Sequence, residues 1–169
     1  MKKLKLVTLS IILSFLSCTK IDDNGFKVYK IKKNKHRSTF KIQHTKNTSK
    51  DPINQFDVNK IWGVSDCGTT HSKNSIRFGW RWDLDQEQVE ILMYRRLLGE
   101  FDFKSLGYVN LGDINYISLN ITDSHYYMYL NGIMDSMSRC CDEPKRRYFL
   151  YPYFGGTEKA PHDITIKIK

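Results

Sequence analysis

The sequence predicts an all-β fold, an antiparallel β-sandwich or jelly roll, and three observations carry that prediction. The run at 75–82, Ser-Ile-Arg-Phe-Gly-Trp-Arg-Trp, alternates strictly. Successive side chains of a strand point to opposite faces, so Ile76, Phe78, Trp80 and Trp82 share one face, and Arg77, Gly79 and Arg81 the other. Other short runs of this kind are rich in β-branched and aromatic residues and are separated by turn signals such as Asn131-Gly132 and Gly155-Gly156. No stretch holds a helical period beyond two turns; 86–98 is the one helix candidate, because it lacks Gly and Pro. Such a succession of strands and turns implies two packed sheets.

The first residues are read as an address, not as fold. Lys2, Lys3 and Lys5 precede an apolar run at 6–16 that is short for a membrane span. The run ends at Leu16-Ser17-Cys18, which resembles the lipobox of bacterial lipoproteins, with Phe15 where that family usually has Leu. The resemblance implies a signal peptide at 1–17, a lipidated (palmitate-bearing) Cys18 and a tether at 18–25. A single β-sandwich domain then fills 26–169. Lys20-Ile21-Asp22-Asp23 is similar to the tether signal that sends some lipoproteins to the cell surface. The implied location is the cell envelope, at the outer membrane, held by acyl chains that need no membrane-binding face on the folded part.

The strands are justified in order. Phe26, Val28 and Ile31 mark a first strand at 26–31, and Lys32 to Arg37 reads as a basic loop. Phe40 and Ile42 give a second strand at 38–43, and 44–54, polar with Pro52, reads as a surface loop. Residues 61–64 form a short strand, and 65–73, Ser-Asp-Cys-Gly-Thr-Thr-His-Ser-Lys, a polar loop leading into the central strand. A turn at 83–86 and a strand at 89–94 complete a central hairpin. A turn at 97–99, a strand at 101–109 interrupted at Gly107, and alternating strands at 114–121 and 126–130 follow. Residues 136–145 read as irregular. The aromatic run at 147–154 holds Pro152, which points to an edge or bulge. Ile164, Ile166 and Ile168 close the chain as a last strand. The closing turn and strand, from Tyr151-Pro152-Tyr153-Phe154-Gly155-Gly156 to Asp163-Ile164, resemble those of concanavalin-like jelly rolls.

A chain of 169 residues with a formal charge of +9, falling to +6 once Lys2, Lys3 and Lys5 leave, favours acidic partners. No phosphate-cradling glycine loop, nucleic-acid motif or Ser-His-Asp order is present, and no cofactor is expected. With Cys18 lipidated, Cys67, Cys140 and Cys141 remain. Cys67 can bridge to Cys140 or Cys141, since a bond between adjacent cysteines is strained. Cys67, His71, Cys140 and Cys141 are the one zinc-type set, but no Cys-x-x-Cys pair supports it, so no metal is expected. Asp83, Asp85 and Glu87 superficially resemble the alternating carboxylates of sandwich-fold glycoside hydrolases, yet sit where the hairpin turns.

Arg77 and Arg81, four apart on one strand face, resemble the arginine-bearing strand of jelly-roll lyases that cut acidic polysaccharides. In that family arginines hold a uronate while a tyrosine and a histidine move protons; here Gly79 stands where the family has glutamate. Guanidinium forks suit carboxylate and sulfate. The ligand-binding candidates are therefore Arg77, Arg81, His71, Tyr151 and Tyr153, with no catalytic set assigned. The expected function is non-catalytic recognition of an acidic or other glycan; a jelly-roll lyase or hydrolase, and an envelope interaction protein, are the alternatives. A lyase requires Arg77, a tyrosine and a histidine to converge in one groove.

Overall fold

The computed structural model describes residues 20–21, 27–28, 35–43, 57–141, 146–155 and 163–168. Among them the regular structure is all strand: β1 (Lys20–Ile21), β2 (Lys27–Val28), β3 (Lys35–Gln43), β4 (Asn59–Ser65), β5 (Ser75–Asp83), β6 (Gln88–Leu97), β7 (Glu100–Val109), β8 (Asn115–Ile121), β9 (His125–Leu130), β10 (Ile133–Ser138), β11 (Phe149–Leu150) and β12 (Thr165–Ile168). β1 and β2 pair with each other. The rest form two five-stranded antiparallel sheets, β10-β9-β8-β3-β12 and β11-β4-β5-β6-β7. The chain crosses between the sheets after β3, β7, β10 and β11, and the first and last strands of the two sheets, β3 and β12, lie side by side, as in a jelly-roll sandwich. The expected fold class is the observed one.

The core lies between the sheets. Phe40 and Ile42 of β3, with Ile117, Leu119, Ile121, Tyr126, Met128 and Leu130, meet Ile61, Trp62, Val64, Ile76, Phe78, Trp80, Val89, Ile91 and Met93 of the other sheet. Phe78 and Trp80 are fully buried, and Trp62 packs tilted on Phe78 at 5.1 Å between ring centroids. The alternation of β5 thus points its aromatic face inward as read.

The helix candidate at 86–98 lies in the turn and β6. Its ambiguity has a physical cause: Val89, Ile91 and Met93 enter the core while Leu92 and Tyr94 are buried on the outer face, so the run is apolar on both sides. Gly107 does not break β7. Ile91 pairs with Gly107 and Leu92 with Ser105, so Leu106 is an extra residue that turns inward, and Tyr108 faces outward beyond the bulge. β10 is a strand the sequence reading left out. Its residues, Ile-Met-Asp-Ser-Met-Ser, are exposed or half-buried and do not alternate; register comes instead from the two-residue turn Asn131-Gly132, both at positive φ, which sets Ile133 against Leu130. Residues 35–37, read as loop, belong to β3 through pairing with β8. The first-strand reading at 26–31 is described only at Lys27–Val28, which pairs with Lys20–Ile21. The signal segment, Cys18 and the loop at 44–54 lie outside the described residues.

Candidate functional site

Arg77 organises the outer face of the β4-β5-β6 sheet. It pairs in register with Gly63 of β4 and Tyr94 of β6. Gly63 is required there: a side-chain carbon at that position would meet the Arg77 Cγ at 2.7 Å, so the arginine stem crosses the space glycine leaves. Arg77 is half-buried rather than solvated, and its Nε is buried with no hydrogen-bond acceptor among the described residues. Burial lowers its pKa from the ordinary arginine value, with Tyr94, Tyr148 and Tyr153 close enough to oppose that and Arg96 close enough to add to it.

Two further cations share the neighbourhood. Arg96, on β6, lies over the Phe101 ring, 5.2 Å from its centroid, and donates to the Gly99 carbonyl at 2.6 Å. Phe101 in turn stacks on Tyr94, 5.9 Å away and 14° from parallel. Lys60, paired with Gly79, places its Nζ 4.4 Å from the centre of the Tyr94 ring and donates to the Val58 carbonyl at 2.5 Å. Burial first, then Arg77, pulls the Lys60 pKa down to about 8, and Asp57 offsets part of this. The ion pairs of the described residues join Arg81 to Glu90, Arg95 to Asp102, Lys104 to Asp135, and Arg139 and Arg147 to Asp66; none takes Lys60, Arg77 or Arg96.

The rim comes from two irregular segments. In the loop at 66–74, the backbone N–H of His71 donates to the Tyr148 hydroxyl at 2.7 Å, and His71 Nδ1 lies 3.1 Å from the same oxygen. A neutral His71 with its proton on Nε2 satisfies both contacts: the phenol accepts from the backbone and donates to Nδ1. Burial, then Arg77 and Arg96, lowers the His71 pKa and favours that neutral form. From the other side, Tyr153 exchanges backbone hydrogen bonds with Lys60 at 2.8 and 3.0 Å and leaves its ring exposed. Tyr151 is equally exposed on the same segment.

Arg81 stands apart from Arg77 although both lie on one face. Its Nε donates to the buried Glu90 at 2.6 Å, and its guanidinium covers the Phe103 ring. Between the two arginines, Val58 folds onto Gly79 and packs with Leu92 and Tyr94. Glycine at 79, where the lyases have glutamate, is what lets Val58 sit there, because any side-chain carbon would meet the Val58 methyl at 2.5 Å. Register across the β5–β6 hairpin sets Glu90 opposite Arg81, whereas a turn at 83–86, as read from the sequence, would have set Gln88 there. Lys60 and Arg96 carried no signal in the sequence, whereas Tyr148 lies in the aromatic run read at 147–154. Asp83 accepts from the N–H groups of Asp85 and Gln86, so the acidic stretch is a capped turn. His125 contacts Ser124 on the other sheet, and His44 and His162 lie outside the described residues.

A disulfide joins Cys67 to Cys141, with Cys140 left as a thiol. His71 turns to Tyr148, so the zinc-type set reduces to three sulfurs within 4.8 Å of one another. An open concavity of about 720 Å³ elsewhere is lined by Asp113, Ile114, Asn115, Tyr116, Asn131 and Gly132, with no cation or histidine in its lining among the described residues.

No known family profile matches this chain, and no curated protein matches it. Solved structures with partial likeness include a carbohydrate-binding module from Bacillus subtilis, at 7% identity over 70% of this chain and 71% of that one, with a TM-score of 0.39. A κ-carrageenase from Pseudoalteromonas carrageenovora, in complex with an oligotetrasaccharide of κ-carrageenan, aligns at 9% identity over 84% and 65% of the two chains, with a TM-score of 0.43. A 1,3-α-1,4-β-D-galactose-4-sulfate-3,6-anhydro-D-galactose 4 galactohydrolase aligns at 11% identity over 88% and 67%, with a TM-score of 0.38. At these scores the likenesses carry no weight for the site, whose reading stands on its own geometry.

Proposed function

We propose that this chain binds an anionic glycan on the face around Arg77, and that it does so without cleaving it. The observation that carries this is the convergence of Lys60, Arg77 and Arg96, none in an ion pair among the described residues, on one aromatic-walled patch. Charges brought this close repel one another and lose hydration, a cost that an anionic ligand reverses. The arginine forks suit a carboxylate or sulfate, and Lys60 adds a point charge. Tyr153, with Tyr151 beside it, offers an exposed ring for a sugar face. Arg81, held by Glu90, ties β5 to β6 instead. A lipid anchor at Cys18 would hold this face at the envelope surface.

The test is titration of the soluble domain with uronate-bearing, sulfated and neutral oligosaccharides at low and physiological salt, alongside single-stranded DNA. Binding of an acidic glycan that weakens with salt and falls by about 10–100-fold in Arg77→Ala is expected. Equal binding by Arg77→Ala, or silence toward every acidic glycan at low salt, removes the reading.

One observation favours a second reading, a glycan lyase: His71, Tyr148 and Arg77 come together as that chemistry requires. A neutral His71 can take the Tyr148 proton and leave a phenolate as base toward a uronate held by Arg77. Appearance of an unsaturated product, absent in Tyr148→Phe with binding retained, would replace recognition by lysis.

A further inference from the structure

We propose that Cys67, Cys140 and Cys141 form a thiol–disulfide exchange site, in which Cys67 is bonded in turn to Cys141 and to Cys140. The inference is independent of how the Arg77 face is read. Cys67 is bonded to Cys141, with 5.7 Å between their Cα atoms, while the Cys140 Sγ lies 2.9 Å from the Cys67 Sγ. The attacking atom is therefore already against the sulfur it would attack. Cys140 is exposed, and its thiol donates to Asn74 Oδ1 at 3.2 Å, which fixes its direction.

The two limbs that carry the sulfurs are held by something other than the disulfide. Asp66, next to Cys67, and Arg139, next to Cys140, form a fully buried two-point ion pair, with Oδ2 accepting from Nε at 2.5 Å and Oδ1 from Nη2 at 3.1 Å. Arg147 and Tyr126 bind the same carboxylate. Breaking the Cys67–Cys141 bond thus leaves Cys67 beside both partners, and the leaving sulfur stays within reach for the return step.

The step balances without an outside reagent. The Cys140 thiol gives up its proton to solvent and its thiolate attacks the Cys67 Sγ. A Cys67–Cys140 bond forms as the Cys67–Cys141 bond breaks, and the electron pair leaves on Cys141, which takes up a proton. Cys140 and Cys141 exchange the roles of thiol and disulfide partner, and no net oxidation occurs. Burial, then Asp66, raises the Cys140 thiol pKa, with Arg139 and Arg95 pulling the other way, and the Tyr126 hydroxyl also faces this group. Exchange accordingly quickens with pH.

The full chain, purified without reductant and incubated at neutral and mildly alkaline pH, is blocked with N-ethylmaleimide, acid-quenched and mapped by tandem mass spectrometry. Label on both Cys140 and Cys141, each with Cys67 bonded to the other, is expected. Label on Cys140 alone at both pH values, or a Cys140–Cys141 bond with Cys67 labelled, overturns the proposal. Cys141→Ser, with Cys140→Ser as the control that keeps the Cys67–Cys141 bond, is expected to form a Cys67–Cys140 bond and to show no thiol at either position; two labelled thiols in Cys141→Ser overturn it equally.

Discussion

Replacing Asp66 by Asn removes the negative charge from a cluster that shuts out solvent. The side chains of Asp66, Arg139 and Arg147 are 0%, 1% and 3% exposed. One carboxylate serves both guanidiniums, and Tyr126 donates to it at 2.8 Å. Stripping one partner from a buried ion pair costs about 3–5 kcal/mol, because the remaining charge stays buried without compensation. Asp66→Asn takes the counter-charge from two guanidiniums at once while Arg139 keeps its hydrogen bonds to the Thr122 and Asp123 carbonyls, so the cost falls within that range, a large share of a total of about 5–15 kcal/mol. With a slope of about 2 kcal/mol per molar, the urea midpoint falls by about 2 M. Asp102→Asn is the control: Asp102 pairs with Arg95 but is 45% exposed, and exposed pairs contribute about 0–1 kcal/mol. The pH dependence supplies a second readout. Burial opposes ionisation of Asp66, but hydrogen bonds from Arg139, Arg147, the Cys67 N–H and Tyr126 outweigh it and hold the pKa below the ordinary value. A depressed carboxyl contributes stability that is fully present above the unfolded pKa of about 3.9 and is lost as pH falls through the folded value. Asp66→Asn therefore flattens the acid limb of the stability curve. Equal midpoints for Asp66→Asn and Asp102→Asn, measured by urea denaturation with the disulfide intact, would refute the reasoning.

Three more outcomes follow from the same coordinates. Arg77→Ala should weaken an acidic glycan by about 10–100-fold, the worth of a hydrogen bond to a charged group, while Arg81→Ala changes affinity by less than about threefold; calorimetric titration of both separates the two arginines. Lys60 gives two slopes of opposite sign. Its pKa of about 8 lies below the value of 10.5 it has when unfolded, so between these limits the unfolded chain binds more protons and stability rises with pH, while affinity for an anion falls as the ammonium is lost. Lys60→Met should abolish both, and unchanged slopes in that variant would remove Lys60 from the site. Cys67→Ser deletes a crosslink across 74 residues and should cost about 4 kcal/mol in thermal or urea unfolding, whereas Cys141→Ser should lose much less if Cys140 replaces it.

The sequence by itself determined the sandwich and the inward face of its central strand. Alternation is a local property: once β5 is extended, Ile76, Phe78, Trp80 and Trp82 must share a side, and burying those rings drives two sheets together. Turn chemistry was equally local, as at Asn131-Gly132, where both residues take positive φ. What only the tertiary structure decided was which charges meet. Arg77 and Arg81 are equivalent by parity, yet register gives Arg81 a carboxylate at Glu90 and sets Arg77 against Gly63 and Tyr94. Lys60, Arg96, His71 and Tyr148 come from four separate segments and meet because the sheets and the 66–74 loop fold them onto one face. Asp66 finds Arg139 and Arg147 across more than seventy residues. β10, without alternation of its own, exists because β9 presents it an edge. Strand parity is set by neighbours along the chain, whereas ion-pair partners, thiol neighbours and edge pairing are set by distances in space that no short window of sequence contains.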